Sequence, residues 1–326
     1  MILDDKNLEI LQPKAQLTLY GYENYFNSFI KLYKKNKLPN TMLLTGPKGL
    51  GKSTFAYHFI NYLLTYDENN KYSVENFKID KNNSTYKLIQ NSIHPNFFLL
   101  ENSLSDQNIK IGQVRDLLKF LNKSTYSKDI KVILIDNAEN LNLNSSNALL
   151  KSLEEPSLNT FFFIVNNNSS KVLNTIKSRC VEYKFHLSSF EKRDIFNKIV
   201  QNYQLKFHKD YMYKFFHFDT PGNFLRYLLA LDNSNLDISK NNLSCILYFI
   251  DKYKNTKDSE LLNFISLFIE NFYNELSLND SNNLNNYSIR KNKILYMINN
   301  FKKFNLDKNN LLISIDSILK NEFSFS

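Results

Sequence analysis

The spacing of apolar residues changes in character a little past the middle of the chain. In the first part, short apolar runs alternate with segments whose apolar residues recur at helical spacing. The predicted strands cover residues 42–44, 95–100, 131–136 and 161–165, and the predicted helices cover 54–60, 111–121 and 145–155. Strands that alternate with helices predict a mainly parallel sheet, with its ligand at the carboxyl ends of the strands.

From about Phe190 onward the pattern predicts helices and no further strand. Short helices are expected over 190–203 and 210–231, and a polar stretch follows at 232–242. Three wide apolar stripes then indicate longer helices around 261–276, 294–301 and 311–319. Such stripes are typical of a bundle core, and they are also wide enough for part of their surface to pack on partner subunits.

The segment 66–92 has neither kind of pattern. It is polar and rich in asparagine, and it contains no cysteine. We therefore interpret it as an insertion or an irregular segment between a helix and the next strand.

The composition allows several domains but sets few other limits. A chain of 326 residues, 43% of them hydrophobic, is long enough for two or three packed domains. It has no run of about 18 apolar residues and no signal-peptide pattern after Met1, so we expect no membrane span and a cytoplasmic location. The two cysteines, Cys180 and Cys245, lie far apart, which indicates a reducing compartment without a disulfide framework.

The net charge of +9 is weak support for nucleic-acid binding. Only five of the 41 basic residues are arginines, while lysine, asparagine, isoleucine, phenylalanine and tyrosine are abundant. AT-rich codons produce this bias and raise the lysine content without selection for contact with DNA. The same bias makes each arginine more informative.

The most specific motif lies at residues 46–53 and reads GPKGLGKS, which matches the phosphate-binding loop G-x-x-x-x-G-K-[ST]. Its glycines let backbone N–H groups converge on a phosphate, Lys52 reaches the β- and γ-phosphates, and the Ser53 hydroxyl binds Mg²⁺. A plain glycine turn is the alternative, but three of only six glycines fall here. The residues predicted to contact ATP in this segment are Gly46, Pro47, Lys48, Gly49, Leu50, Gly51, Lys52, Ser53 and Thr54.

The apolar strand that ends at Asp136 is the expected second half of this site, since its carboxylate can hold Mg²⁺. An active ATPase of this kind has a glutamate next, but this chain has Asn137, whose amide cannot act as a general base. Glu139 is expected to point elsewhere. The site is therefore predicted to bind ATP and to hydrolyse it slowly or not at all.

Two further polar positions follow later predicted elements. Asn166, with Asn167 and Asn168, follows the strand at 161–165; contact with the γ-phosphate and an ordinary asparagine-rich turn are equally good interpretations. Arg179 follows a short apolar helix. It is either a surface residue or an arginine finger that stabilises charge in the ATP site of a neighbouring subunit.

Together these motifs resemble one family. GPKGLGKST, VILIDNAEN, NALLKSLEEP and the triplet Ser178-Arg179-Cys180 occur in the order and spacing of AAA+ clamp-loader subunits of bacterial DNA polymerase III. The last two motifs are specific to clamp loaders, and HPNFFLLE (94–101) and IKIGQVRDLLKFL (109–121) are also similar to that family. The resemblance covers about residues 15–185 well and the remainder only in helical outline.

The family has motor subunits, γ/τ, and a non-motor stator, δ′, and three departures favour the stator type. The acidic pair typical of motors is Asp136-Asn137 here. The motors carry a four-cysteine zinc module where 66–92 has no cysteine, so no zinc is expected. Their lid arginine follows a glycine as G-x-x-R, whereas Arg226 lies one place later after Gly222, about 100° further around a helix. We assign Arg226 no role.

The resemblance implies an architecture and a set of partners. It implies an AAA+ P-loop core with a parallel sheet at 1–185, a small helical lid at 186–235 and an all-helical collar at 236–326. The implied partners are the γ/τ and δ subunits, with the sliding clamp and primer-template DNA reached through the complex. Arg179 would serve an adjacent γ/τ subunit, and no polymerase active site is implied.

Two other functions fit the motifs less well. A self-sufficient AAA+ ATPase, either a motor-type subunit or a helicase-like remodeller, would hydrolyse ATP steadily by itself, and Asn137 argues against it. A plain scaffold with a vestigial loop would not bind nucleotide at all.

Overall fold

The computed structural model describes residues 10, 12–102, 108–123, 130–167, 173–205, 220–232, 242–256, 261–304 and 306–323. The chain divides into two units. One comprises Asp5–Lys206 and Phe216–Arg226, and the other consists mainly of Tyr227–Ser326. All of the chemical motifs lie in the first unit.

The first unit contains a sheet of five parallel strands in the order β2-β3-β4-β1-β5. The strands are β1 (Thr41–Thr45), β2 (Phe97–Leu100), β3 (Lys131–Ile135), β4 (Thr160–Asn166) and β5 (Val181–Lys184). The four predicted strands are confirmed. Strand β5 was not predicted, because its position at the edge of the sheet leaves it mostly exposed and it has no apolar run.

Helices cover both faces of this sheet. They are α1 (Glu23–Lys34), α2 (Lys52–Leu64), α3 (Ser84–Gln90), α4 (Ile111–Asn122), α5 (Leu143–Glu154), α6 (Asn174–Lys177) and α7 (Ser189–Asn202), and α8 (Pro221–Asp232) begins in this unit. Successive strand residues point to opposite faces. Thus Leu44 packs in the cluster that includes Phe59 of α2, while Leu43 packs with Leu117 of α4 and Leu149 of α5.

The segment 66–92 is irregular over residues 66–83, as predicted, but it is part of this core and contains a helix that the pattern did not predict. It contains α3, and Tyr72, Ile79, Tyr86 and Ile89 are buried in the same cluster as α2. These apolar residues are too widely spaced among polar ones to show a period. The position of the segment in the core is therefore determined by packing against the surrounding side chains and not by a local sequence pattern.

The second unit is helical throughout its described residues, as predicted. Its helices after the end of α8 are α9 (Asn242–Thr256), α10 (Leu261–Asn279), α11 (Leu284–Phe304) and α12 (Lys308–Phe323). The predicted stripes supply its core, in which Phe268 stacks on Phe249 of α9 and Ile298 and Ile315 are fully buried. The predicted helix at 210–231 is seen as α8 over its later part, and 210–219 lie outside the described residues.

The predicted fold class is confirmed: an α/β P-loop core with a parallel sheet is combined with a C-terminal helical region. Within the described parts of the chain, none of the helices combines the length and the apolar character that a bilayer-spanning segment needs.

Candidate functional site

The phosphate-loop motif connects β1 to α2 at the carboxyl edge of the sheet. Strand β1 lies between β4 and β5, so the loop leaves the sheet from an interior position. Lys52 is the first residue of α2, and this helix is almost entirely buried. The loop therefore faces the N-terminus of a buried helix, where backbone N–H groups and the helix dipole favour an anion.

Lys52 is held inside the loop. Its Nζ donates hydrogen bonds to the carbonyl oxygens of Gly46 at 2.8 Å and Pro47 at 2.7 Å, and the residue is only 2% exposed. Burial lowers the pKa of this ammonium group to about 8, although the nearby carboxylates of Asp136 and Glu139 oppose the shift. The lysine is thus placed where a phosphate would replace the two carbonyl groups as its partner.

Ser53 and Asp136 are brought together, as the motif spacing predicts. The Ser53 Oγ donates to the Asp136 Oδ1 at 2.9 Å. Burial raises the pKa of the Asp136 carboxyl group, while hydrogen bonds from Ser53 and from the Asn137 N–H act in the opposite direction. A hydroxyl and a buried carboxylate side by side are hard oxygen donors of the kind that Mg²⁺ prefers. The residues present therefore fit a nucleotide-bound magnesium ion.

Asn137 is engaged by a second amide. It has a left-handed backbone conformation with φ of 56°, and its Oδ1 accepts a hydrogen bond from the Asn167 Nδ2 at 2.8 Å. Glu139 was expected to point elsewhere, but its Oε2 accepts from the Asn167 N–H at 3.1 Å, so it stays at this edge of the sheet. The sequence could not show this, because a short 3₁₀ turn at Ala138–Asn140 brings the carboxylate back.

Asn166 is the last residue of β4 and is buried. Its Cα is paired with that of Thr45, which directly precedes the phosphate loop. The register thus places Asn166 beside the start of the loop. Asn168, the third of the asparagines, lies outside the described residues.

A contact that the sequence did not predict fixes the outer side of the phosphate loop. The Thr220 Oγ1 donates to the Lys48 carbonyl oxygen at 2.7 Å, and the Gly222 N–H donates to the Gly49 carbonyl oxygen at 3.0 Å. The two glycines lie so close that a Cβ on Gly222 would be 2.8 Å from the Gly49 oxygen, and one on Gly49 would be 2.2 Å from the Thr220 Oγ1. The only signal in the sequence was that Gly222 is one of six glycines.

Arg179 lies at the opposite, amino edge of the sheet. Its carbonyl oxygen accepts a hydrogen bond from the Oγ1 of Thr41, the first residue of β1, at 2.6 Å. The phosphate loop begins after the last residue of β1. At about 3.3 Å per residue, the five-residue strand puts roughly 13 Å between the two edges. The structure therefore separates Arg179 from the phosphate loop of its own chain.

The guanidinium group of Arg179 is held by neighbouring residues. Its Nε and Nη2 both donate to the Glu154 Oε2 at 3.3 Å, and its Nη1 donates to the Thr175 carbonyl oxygen at 3.0 Å. The side chain of Arg179 is 28% exposed and that of Glu154 is 58% exposed. The arginine is thus oriented and still partly accessible from solvent.

A phosphate-binding loop between an interior parallel strand and a buried helix, with lysine, serine and aspartate gathered around it, defines a P-loop nucleotide-binding protein. The family model described as "DNA polymerase III, delta subunit" matches residues 21–189, which is just over half of the chain. The chain belongs to this family, and the resemblance drawn from its motifs is confirmed.

Individual relatives agree with the family. The DNA polymerase III subunit delta′ of Pseudomonas aeruginosa is 38% identical over 140 residues, which cover 43% of this chain and 41% of the relative. The DNA polymerase III subunit gamma of Buchnera aphidicola subsp. Schizaphis graminum is 27% identical over 186 residues, covering 57% and 48%. The chain thus spans less than half the length of these two relatives.

A solved structure shows a weaker likeness. A DNA polymerase III gamma subunit-related protein from Thermotoga maritima aligns with a TM-score of 0.44 and 15% identity, over 89% of this chain and 97% of that one. A likeness at this level supports no argument about function.

Proposed function

We propose that this chain is the δ′-type stator subunit of a bacterial DNA polymerase III clamp loader. In this function it assembles with γ/τ and δ subunits into a complex that opens the sliding clamp and places it on primer-template DNA. The cytoplasm is the compartment that this function requires. The chain presents Arg179 to the ATP site of an adjacent γ/τ subunit and contributes no polymerase active site.

The position of Arg179 carries this proposal. An arginine finger stabilises the charge on a transferred phosphoryl group, so it has to meet the γ-phosphate. Arg179 lies at the amino edge of its sheet, and the phosphate loop of its own chain lies at the carboxyl edge. An oriented arginine at that edge is suited to a phosphate bound by another chain.

The phosphate loop has a separate role in the proposal, namely to bind ATP with Mg²⁺. The backbone N–H groups of 46–54, other than Pro47, and the Lys52 ammonium group hold the phosphates. Ser53 and Asp136 hold the metal ion, and Asn166 faces the γ-phosphate. The bound ion supplies charge neutralisation to the phosphate groups. Because Asn137 takes the position of the general base, the chain by itself turns ATP over slowly or not at all.

The division of the chain supports a role in assembly. We propose a lid at 186–235 and a collar at 236–326, of which the collar holds the neighbouring subunits. Helix α11 exposes Ile289 and Tyr296, which are seven residues apart and hence on one face of the helix. Such a face is suited to a neighbouring subunit.

The alternative is a motor-type γ/τ subunit or a remodelling ATPase that works alone. The motor type is the more specific form of this alternative, because one of the relatives is a gamma subunit. Asn137 argues against it. The two functions are separated by the ATPase rate of the purified chain. A rate of about 1 per second or more would contradict the stator function.

The decisive experiment reconstitutes the clamp loader from γ/τ, δ and this chain and measures ATP hydrolysis and clamp loading on primed DNA. Arg179→Ala should assemble normally but slow both reactions, since loss of an arginine finger costs about 10³-fold at the affected site. The overall loss is smaller because other ATP sites keep their own arginines. Arg179→Lys should restore little, because lysine lacks the planar fork. Equal rates for wild type and Arg179→Ala would show an ordinary surface residue.

A further inference from the structure

The contacts of Arg179 raise the question of what sets the direction of its guanidinium group. An arginine side chain has several rotatable bonds, and about 2 kcal/mol of rotamer entropy opposes any single orientation. The backbone of Arg179 is fixed by the Thr41 hydroxyl group, but that bond does not constrain the side chain. The remaining constraints come from Glu154, from the Thr175 carbonyl group and, at a longer 3.4 Å, from the Ser178 hydroxyl group, which accepts from Nη1.

Glu154 contacts the guanidinium group from one side only. Its Oε2 accepts from Nε and Nη2, while Thr175 accepts from Nη1. Arginine has five N–H donors, and among the described residues at least one N–H of Nη2 has no protein partner. This geometry leaves a donor directed away from the acid, as an approaching phosphate oxygen would need.

The pair contributes little to the stability of the fold. Both side chains are partly exposed, and solvent screening leaves such surface ion pairs with little net stabilisation. Glu154 is also the last residue of α5, so its side chain is not needed to continue the helix. What the pair does provide is a fixed orientation, and a pre-oriented group loses less entropy when it meets its target.

We propose that Glu154 is a positioning residue for Arg179, which holds the guanidinium group in the orientation that the neighbouring subunit's ATP site requires. This inference rests on the proposed function of Arg179. Glu154 does not itself touch the nucleotide. It acts through the arginine, and its effect has to disappear when the arginine is absent.

The test is a double-mutant cycle in the reconstituted clamp loader, with kcat and KM for ATP hydrolysis as the readout. Glu154→Ala should remove more than about half of the part of kcat that depends on Arg179, with KM within about twofold of wild type. In the Arg179→Ala background, Glu154→Ala should have no further effect. Glu154→Gln should keep most of the activity, because its amide oxygen can still accept from the guanidinium group.

Glu155→Ala is the matched control, because it removes the next acid along the chain, which is exposed and has no side-chain bond to Arg179. It should behave as wild type. Both single variants should unfold at nearly the same denaturant midpoint as wild type, because an exposed ion pair adds little to stability.

Each other outcome overturns the inference in a recognisable way. If Glu154→Ala matches wild type while Arg179→Ala is slow, the positioning role is wrong and the proposed function stands. If Glu154→Ala slows the reaction equally with and without Arg179, the acid acts by another route. If Arg179→Ala itself has no effect, the proposed function and the positioning role both fail.

Discussion

The two edges of the same parallel sheet differ in how completely each forms a site. At the carboxyl edge, Lys52 is buried and hydrogen-bonded within the phosphate loop, and Ser53 is hydrogen-bonded to Asp136. At the amino edge, Arg179 is oriented by one partly exposed acid, one carbonyl group and a longer contact to the Ser178 hydroxyl group. The first edge carries the groups that we propose bind a nucleotide, whereas the second carries the arginine that we propose acts on a nucleotide bound by another chain.

The difference explains why the proposed function needs a second chain. Parallel strands gather polar groups at their carboxyl ends because the connections to the helices leave from there. A group at the amino end is separated from that site by the full length of the strands. In the proposed function, an arginine there acts only when a second chain brings its carboxyl edge against it.

Loss of the lysine is the strongest way to test whether the carboxyl edge binds nucleotide. Lys52→Ala should weaken ATP binding about 10- to 100-fold, because a hydrogen bond to a charged group is worth about 1.5–3 kcal/mol. Titration of the purified chain with ATP and Mg²⁺ measures this. The exposed Lys31→Ala serves as the control, and equal affinity in the two variants would favour a vestigial loop.

The second prediction concerns the contact of Gly222 with Gly49 of the phosphate loop. Gly222→Ala should weaken ATP binding about tenfold and destabilise the fold by about 1–3 kcal/mol, because its Cβ would press on the Gly49 backbone. Gly112→Ala is the matched control on α4, where a Cβ meets nothing within 4 Å. It should be neutral or stabilising by up to about 1 kcal/mol. If both variants bind ATP like wild type, the start of α8 does not shape the loop.

Low pH should destabilise the core that supports the carboxyl edge. His58 of α2 is fully buried beside the Tyr72 hydroxyl group, and burial lowers its pKa to about 3. The unfolded chain binds a proton at this residue below pH about 6.5. The contribution of neutral His58 to stability is therefore complete above pH 6.5 and is lost progressively as the pH falls from 6.5 toward 3.

When the pH falls from 7 to 5, this histidine should lower the unfolding free energy of the protein by about 1–2 kcal/mol. Denaturant titrations of wild type and His58→Gln at both values of pH measure the effect. The variant should lose less stability than wild type on acidification. The same pH dependence in both would assign the acid sensitivity to other groups.

The smallest expected effect tests whether the two edges are independent. Thr41→Val removes the hydroxyl group that bonds the Arg179 carbonyl oxygen and keeps a similar shape. It should cost about 1 kcal/mol of unfolding free energy and leave ATP affinity unchanged. A change in ATP affinity would show that the amino edge influences the carboxyl edge within one chain.

The local pattern predicted the elements that carry strong periodicity or long apolar runs. Strands β1 to β4 and helices α4 and α5 are where the spacing placed them, because each buries a whole face or a whole run in the core. Strand β5 and the short helix α3 within the segment 66–92 were missed. An exposed edge strand and a core segment of scattered apolar residues leave no local signal.

Among the candidate site residues, those within one motif were the most predictable. Lys52 and Ser53 follow from the spacing of the loop, and Asp136 follows from an apolar strand that ends in an acid. The return of Glu139 to the sheet edge, the bonds of Thr220 and Gly222 to the phosphate loop and the Glu154–Arg179 pair join residues between 25 and 173 positions apart. Contacts over such distances are set by packing.

The sequence by itself determined the phosphate loop, the alternation that builds a parallel sheet, the absence of a glutamate after Asp136 and the family to which the chain belongs. Each of these depends on residue types at short, fixed spacings, and backbone geometry converts such spacings directly into structure. Only the tertiary structure placed Arg179 at the edge opposite the loop, Glu154 beside it and Gly222 against Gly49. Those placements depend on strand order and register, which are chosen by how the two faces of the sheet are buried, and no local stretch of the chain encodes that choice.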